Sequence, residues 1–195
     1  MTAALPRLDS TNWTVDDVAN LPEDLHYELI NGRLILTPAA MPIHQIIGVR
    51  IVNALEANGP EDVVVSPDSS VTTDFRNEPR PDVVVTREEG ANRTPVLASD
   101  VLLVVEIISK SSILSDRDEK MKLYAYAGIQ HYWIVDPLAE RITFTQFRLS
   151  PDGTYHRGLH TDELVTISQP WETTLDLPAW TRRRDRLREV ARPDR

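Results

Sequence analysis

The run Val101-Leu102-Leu103-Val104-Val105-Glu106-Ile107-Ile108 constrains the fold more than any other feature of the chain. Side chains of an extended strand alternate between two faces, and here both faces are apolar. Such a strand must be covered on both sides, so it belongs at the centre of a sheet with a layer packed on each face. Residues 82–86 and 131–135 read as neighbouring strands, the second stopped by Asp136-Pro137, and Val63-Val64-Val65 as a further short strand. Residues 141–149 give another strand, which Pro151-Asp152-Gly153 turns back towards Tyr155, and residues 164–167 are expected to close the sheet.

Between the strands lie helical signals. Residues 14–21 start at Thr14, a good N-cap. Residues 42–58 place Ile43, Ile46, Ile47, Ile51, Val52 and Leu55 at helical spacing before Gly59-Pro60 ends the run. Residues 115–127 pair Ser115 with Asp118 in a capping box and finish at Gly128. Asn31-Gly32 separates the apolar runs 27–30 and 33–36, which is the strongest short-range hairpin signal. The expected class is α/β (α+β), a mixed β-sheet flanked by at least two helices.

At 195 residues one domain is expected, residues 1–180, followed by an arginine-rich tail, residues 181–195. That tail holds seven arginines against Asp185, Glu189 and Asp194, a charge of +4 that leaves −13 on the rest of a chain whose net charge is −9. It reads as a solvated helix or loose end, with nucleic-acid contact as the functional alternative. The chain has no cysteine, which removes disulfides, thiolate metal sites and thiol nucleophiles. The first residues lack a signal-peptide core and no apolar run reaches about 18 residues, so a cytoplasmic protein without a membrane span is expected.

Two carboxylates resist a purely structural reading. Glu106 lies inside the most apolar strand, and Asp82 follows Pro81 at the head of another. A lone buried carboxylate is costly unless paired or metal-bound. The structural alternative is that each meets an arginine or a backbone amide. The functional reading is a hard-cation site for Mg²⁺ or Mn²⁺, held by one or two carboxylates with positions left for water and a phosphate. Phosphodiester cleavage also needs positive charge near the phosphoryl oxygens. Asp116, Lys120 and Tyr124 fall on one face of the helix after Glu106, while Lys122 lies about 200° round from Lys120. Lys110 and Lys122 are rivals for the ammonium, and an exposed Asp116–Lys120 salt bridge is the structural alternative.

The ordered set Arg80-Pro81-Asp82, Glu106-Ile107-Ile108-Ser109, Asp116…Lys120…Tyr124 and Gly128-Ile129-Gln130-His131-Tyr132-Trp133-Ile134-Val135-Asp136-Pro137 resembles the Uma-two family of restriction endonucleases, within the PD-(D/E)XK nuclease superfamily. Tyr27 to Leu34 and Pro42-Ile43-His44 also match, so the resemblance spans residues 14–180. It implies that Asp82 and Glu106 are metal ligands, with the Ile107 carbonyl on the same ion. The superfamily lysine two residues after the acid is Ile108 here, and Lys120 matches a lysine moved to the neighbouring helix. Glu28 matches an acid that holds a second ion or a metal-bound water. Lys110 stands where members often carry proline. Asp116 would hold Lys120; Ser109 orients Glu106 or caps the chain turn, Tyr124 is a core-edge tyrosine or a catalytic acid, and His44 points at the cleft or is a satisfied, half-buried histidine.

The implied activity is metal-dependent hydrolysis of DNA phosphodiesters, with Lys120 positioning or deprotonating the attacking water. A homodimer suits the cutting of two strands. Two other classes remain: a catalytically silent nucleic-acid-binding protein, and an oligomeric interaction protein using Trp133, Trp171 and Trp180. His26, His131, His156 and His160 lack paired ligand spacing, so no zinc site is expected.

Overall fold

The computed structural model describes residues 11–22, 25–37, 39–109 and 114–191, with no side-chain detail for 114–117. In chain order the elements are α1 (Val15–Val18), β1 (Tyr27–Ile30), β2 (Arg33–Leu36), α2 (Pro42–Glu56), β3 (Val63–Pro67), β4 (Val71–Thr72), β5 (Val83–Arg87), β6 (Val96–Leu97), β7 (Val101–Ile107), α3 (Leu114–Tyr126), β8 (His131–Asp136), β9 (Thr143–Leu149), β10 (Tyr155–Thr161), β11 (Leu164–Ile167), β12 (Thr173–Asp176) and α4 (Leu177–Val190).

The apolar run 101–108 becomes β7, inside a six-stranded sheet of order β10-β9-β8-β7-β5-β3. Strands β7 and β8 are parallel, joined through α3, and the other pairings in this sheet are antiparallel. This is the mixed sheet expected from the sequence. Alternation along β7 supplies two cores. Leu103, Val105 and Ile107 pack with Ile47, Ile51 and Leu55 of α2 and with Trp133, Leu177 and Trp180. Val104 packs on the other face with Tyr124, Ile129, Tyr132 and Ile134. At about 25 cal/mol per Å² of apolar surface removed from water, these two layers supply the main stabilisation of the sheet.

Several local signals are obeyed, though α3 starts at Leu114, so Ser115 is inside the helix and not at its N-cap. Thr14 and Asp17 form a reciprocal capping box at the start of α1. Asn31 and Gly32 both take positive φ, 52° and 72°, as a tight I′ hairpin requires. Gly128 ends the α3 segment at φ 79°. Trp171 reaches back to donate its indole N–H to Leu55 O (2.9 Å), closing the C-terminal end of α2.

One expectation is corrected. Residues 164–167 do not close the central sheet: β11 pairs with β12 in a separate hairpin, and Leu175 and Ile167 of that hairpin join the α2-side core. From Thr181 to Val190 the chain is a largely exposed helix, the first of the two expected alternatives, but α4 already starts at Leu177 and buries Arg184 at 1% exposure. The Arg184 guanidinium donates to the carbonyls of Pro137 (2.9 Å), Ala139 (2.7 Å) and Glu140 (2.6 Å), and its Nε to Asp185 Oδ1 (2.8 Å). It thereby satisfies the tight β8–β9 connection. A sequence-level charge count cannot see that use of an arginine. Among the described residues no helix is long and apolar enough to cross a membrane.

Arg184→Ala leaves these carbonyls without their donor and is expected to cost about 2–4 kcal/mol in urea unfolding. Arg184→Lys should recover only part of it, since one ammonium cannot reproduce the guanidinium fork.

Candidate active site

The site forms where β7 ends. Val83 pairs with Val105 in the antiparallel register, so one step outward sets Asp82, at the bend before β5, beside Glu106. Asp82 Oδ2 accepts the Ile107 N–H at 2.6 Å. The backbone-amide half of the structural alternative is therefore present for Asp82. Among the described residues the arginine half is absent: Arg80 sends its guanidinium to Asp68 (Nε–Oδ1 2.7 Å) rather than to Asp82 or Glu106.

Glu106 points to the opposite side of β7 from Ile107, towards α3. Tyr124 OH donates to its Oε1 at 2.7 Å, and Lys120 Nζ lies 3.4 Å from the same oxygen. Lys120 Nζ also meets Glu28 Oε1 at 2.6 Å, and that oxygen accepts the Arg80 backbone N–H at 2.8 Å. The side chains of Lys120 and Glu28 are 9% and 6% exposed, so this is a buried ion pair. Glu28 is delivered by β1, whose Leu29 bridges to Glu78 next to the Arg80-Pro81-Asp82 segment. On α3, Lys122 is exposed while Lys120 is buried, as their 200° separation demands.

His44, in the first turn of α2, completes the group. Its Nε2 lies 3.1 Å from Ile107 O and 3.4 Å from Asp82 Oδ1. Two oxygens from different strands thus converge on one ring nitrogen. Burial opposes the charge on His44, but the Asp82 hydrogen bond and charge, the Ile107 carbonyl and Glu106 outweigh it, and its pKa lies above the ordinary histidine value.

Three acids gather here. Lys120 faces Glu28 and Glu106, and His44 faces Asp82. Burial first, then repulsion from Asp82 and Glu28, pushes the Glu106 pKa up to about 8, against the opposing pull of Lys120 and Tyr124. Tyr124 is fully buried, and burial together with the Glu106 and Glu28 charges holds its pKa well above the usual tyrosine value. It is a standing proton donor to Glu106, packed against Tyr132 with ring centroids 5.6 Å apart.

Of the residues singled out from sequence, Glu28, His44, Asp82, Glu106, Ile107, Lys120 and Tyr124 come together. Ser109 follows β7 half-buried, two residues beyond Ile107. Lys110 lies outside the described residues, as does the Asp116 side chain. Sequence reasoning missed two contributors: the Arg80 N–H that fixes Glu28, and the bonds of His44 to both Asp82 and Ile107. The only signal for the first was the position of Arg80 beside Pro81-Asp82.

Among the described residues no three His, Asp or Glu side chains are gathered into a ready-made metal cage. The donor set still fits a hard divalent ion. Asp82 and Glu106 supply carboxylate oxygens, Ile107 a carbonyl, and Asp82 Oδ1 and Ile107 O already aim at one positively polarised atom, the His44 N–H.

Comparison with known proteins bears on the fold and the family. A solved structure described as "a putative nuclease belonging to DUF820" from Anabaena variabilis ATCC 29413 superposes with TM-score 0.68 at 19% identity, covering 86% of this chain and 98% of that one. At that identity the likeness establishes a shared fold. No curated protein matches. The family model Uma2, described as "Putative restriction endonuclease", matches residues 15–179. That span includes the hairpin bearing Glu28, the strand ends bearing Asp82 and Glu106, and the helix bearing Lys120, and the chain belongs to the Uma2 family.

Proposed function

We propose that this chain is a metal-dependent endonuclease that hydrolyses DNA phosphodiesters. The observation that carries this reading is that Lys120 joins Glu28 to Glu106 in a buried cluster while Asp82 stands beside Glu106, bonded to the Ile107 N–H and His44, with no guanidinium on these acids among the described residues. Three acids crowded at one strand end, one of them held towards its protonated form, suit a cation arriving with its substrate.

Asp82, Glu106 and the Ile107 carbonyl would hold Mg²⁺ or Mn²⁺, which supplies Lewis acidity to the phosphoryl oxygen and stabilises the leaving oxygen when bound. The chain's own groups do the rest. Lys120, donating to Glu28 and Glu106, directs a fixed positive charge at the water and at the phosphoryl oxygens. Glu28 is placed to receive the water's proton through the same ammonium. Water oxygen attacks phosphorus in line, one P–O ester bond breaks with its electrons going to the leaving oxygen, that oxygen takes a proton from solvent, and a phosphomonoester and a free hydroxyl result. Tyr124 fixes the Glu106 rotamer, and His44 fixes the Asp82–Ile107 pair while the ion is absent. Two copies related by a twofold axis would present paired sites to the two strands.

Glu106→Gln keeps the shape and the Tyr124 contact but removes a charge. It should lower Mn²⁺-dependent cleavage of a DNA duplex by about a thousandfold with an unchanged circular dichroism spectrum. Equal cleavage by the variant ends this reading. Binding of DNA by wild type with no turnover in any divalent ion transfers the protein to the catalytically silent class.

The Glu106 shift also sets a pH dependence. With its folded pKa near 8 and its ordinary value 4.5, the metal-free folded state holds an extra proton between those limits. Stability in chelator should therefore fall as pH rises from about 4.5 to 8. Melting curves should show a steeper fall in wild type than in Glu106→Gln, where His44 still contributes, and Mn²⁺ should raise the wild-type Tm more at pH 8 than at pH 6.

A further inference from the structure

Arg182, Arg183 and Arg186 of α4 have no assigned part in the site or the core. Their placement follows from the sheet. Strands β7 and β8 are parallel, so Ile107 and Val135 end side by side, and β9 starts at that same end because Asp136 pairs with Thr143. Helix α4 crosses this end. Its Thr181 Oγ1 accepts the Ile142 N–H (3.0 Å), Arg184 binds the carbonyls of residues 137, 139 and 140, and Arg188 donates to Pro137 O (3.2 Å). The partners thus progress from the start of β9 to the end of β8, towards the end of β7 that carries Glu106.

Arg182 and Arg186 each lie about 200° round the helix from buried Arg184, nearly opposite it, and about 6 Å apart along the axis. They and Arg183 are exposed, and among the described residues none of the three forms an ion pair. Four other arginines are neutralised in place: Arg33 by Glu119, Arg80 by Asp68, Arg93 by Asp100, and Arg141 by Asp162 and Glu163. A polyanion approaching the acidic site of a chain with net charge −9 needs uncommitted positive charge beside it.

We propose that the outward face of α4, Arg182, Arg183 and Arg186, is the phosphate-backbone rail of the DNA substrate, flanking the scissile phosphate. This rests on the endonuclease reading for the identity of the substrate. The rail binds sugar–phosphate and reads no bases, so it acts through counterion release and not through sequence.

The test compares full-length wild type, Arg182→Gln/Arg186→Gln and, as an equal charge change, Arg87→Gln/Arg93→Gln. Arg87 ends β5, at the far end of the sheet from Asp82, and Arg93 sits there beside Asp100. Fluorescence anisotropy with a 20-base-pair DNA duplex, in chelator and across 50–200 mM salt, reads binding without turnover. The α4 variant should bind about ten- to a hundredfold more weakly, with a log K against log salt slope shallower by about 2. The far-end variant should bind like wild type, and all three should share one Tm. In Mn²⁺ the α4 variant should show a raised KM and an unchanged kcat.

Wild-type affinity and slope in the α4 variant, equal loss in both variants, or no DNA binding by wild type overturns the rail. Failure of the endonuclease reading looks different. In that case wild type binds through α4 with the stated salt slope and does not cleave, so the rail stands as a DNA-binding face. Cleavage with wild-type KM in the α4 variant removes the rail and leaves the endonuclease.

Discussion

Lys120 is the cation on which the site depends. It brings one ammonium between a carboxylate from the N-terminal hairpin and a carboxylate from the central strand, all three nearly dry. Taking such charges out of water costs several kcal/mol each, and only close mutual geometry offsets that cost. The geometry in turn requires β1, β7 and α3 to dock in one arrangement. Arg80, through its backbone N–H on Glu28, adds the segment leading into β5. Four parts of the chain are therefore held together at the place where chemistry is proposed. The cost of the buried charges is offset by the sheet's apolar layers, in which β7 contributes to both faces.

Charge is partitioned by task. Acid collects at the end of β7, where Glu28, Asp82 and Glu106 outnumber the local cation. Arginine collects on α4, where one side chain is spent inward on carbonyls and others face solvent. A helix that carries a buried arginine is anchored by directional hydrogen bonds as well as by Leu177 and Trp180 in the core. That anchoring gives the exposed arginines a fixed position relative to the strand ends, which a loose basic tail would lack.

The sequence was most informative where structure is local or strongly patterned. The Asn31-Gly32 turn, the α2 stripe, the Thr14 N-cap and the alternation of β7 each appear as read, since short-range sterics and one-face burial decide them. The opposed faces of Lys120 and Lys122 follow from helix geometry alone. Features that depend on distant partners were hidden. His44 meets Ile107 across 63 residues, and its role exists only because the start of α2 docks at the end of β7. Arg184 satisfies carbonyls more than 40 residues earlier, a use no charge pattern encodes. Residues 164–167 carry an ordinary strand pattern, and only the presence of β12 decides that they pair outside the main sheet.

The direct test of the central claim is a crystal structure of the chain soaked with Mn²⁺, using the anomalous signal to locate the ion. The account predicts one strong peak about 2.0–2.2 Å from a carboxylate oxygen of Asp82, one of Glu106 and the carbonyl oxygen of Ile107, with His44 turned from that carbonyl. A saturating soak that leaves this position without a peak, and Lys120 still joining Glu28 to Glu106, contradicts it.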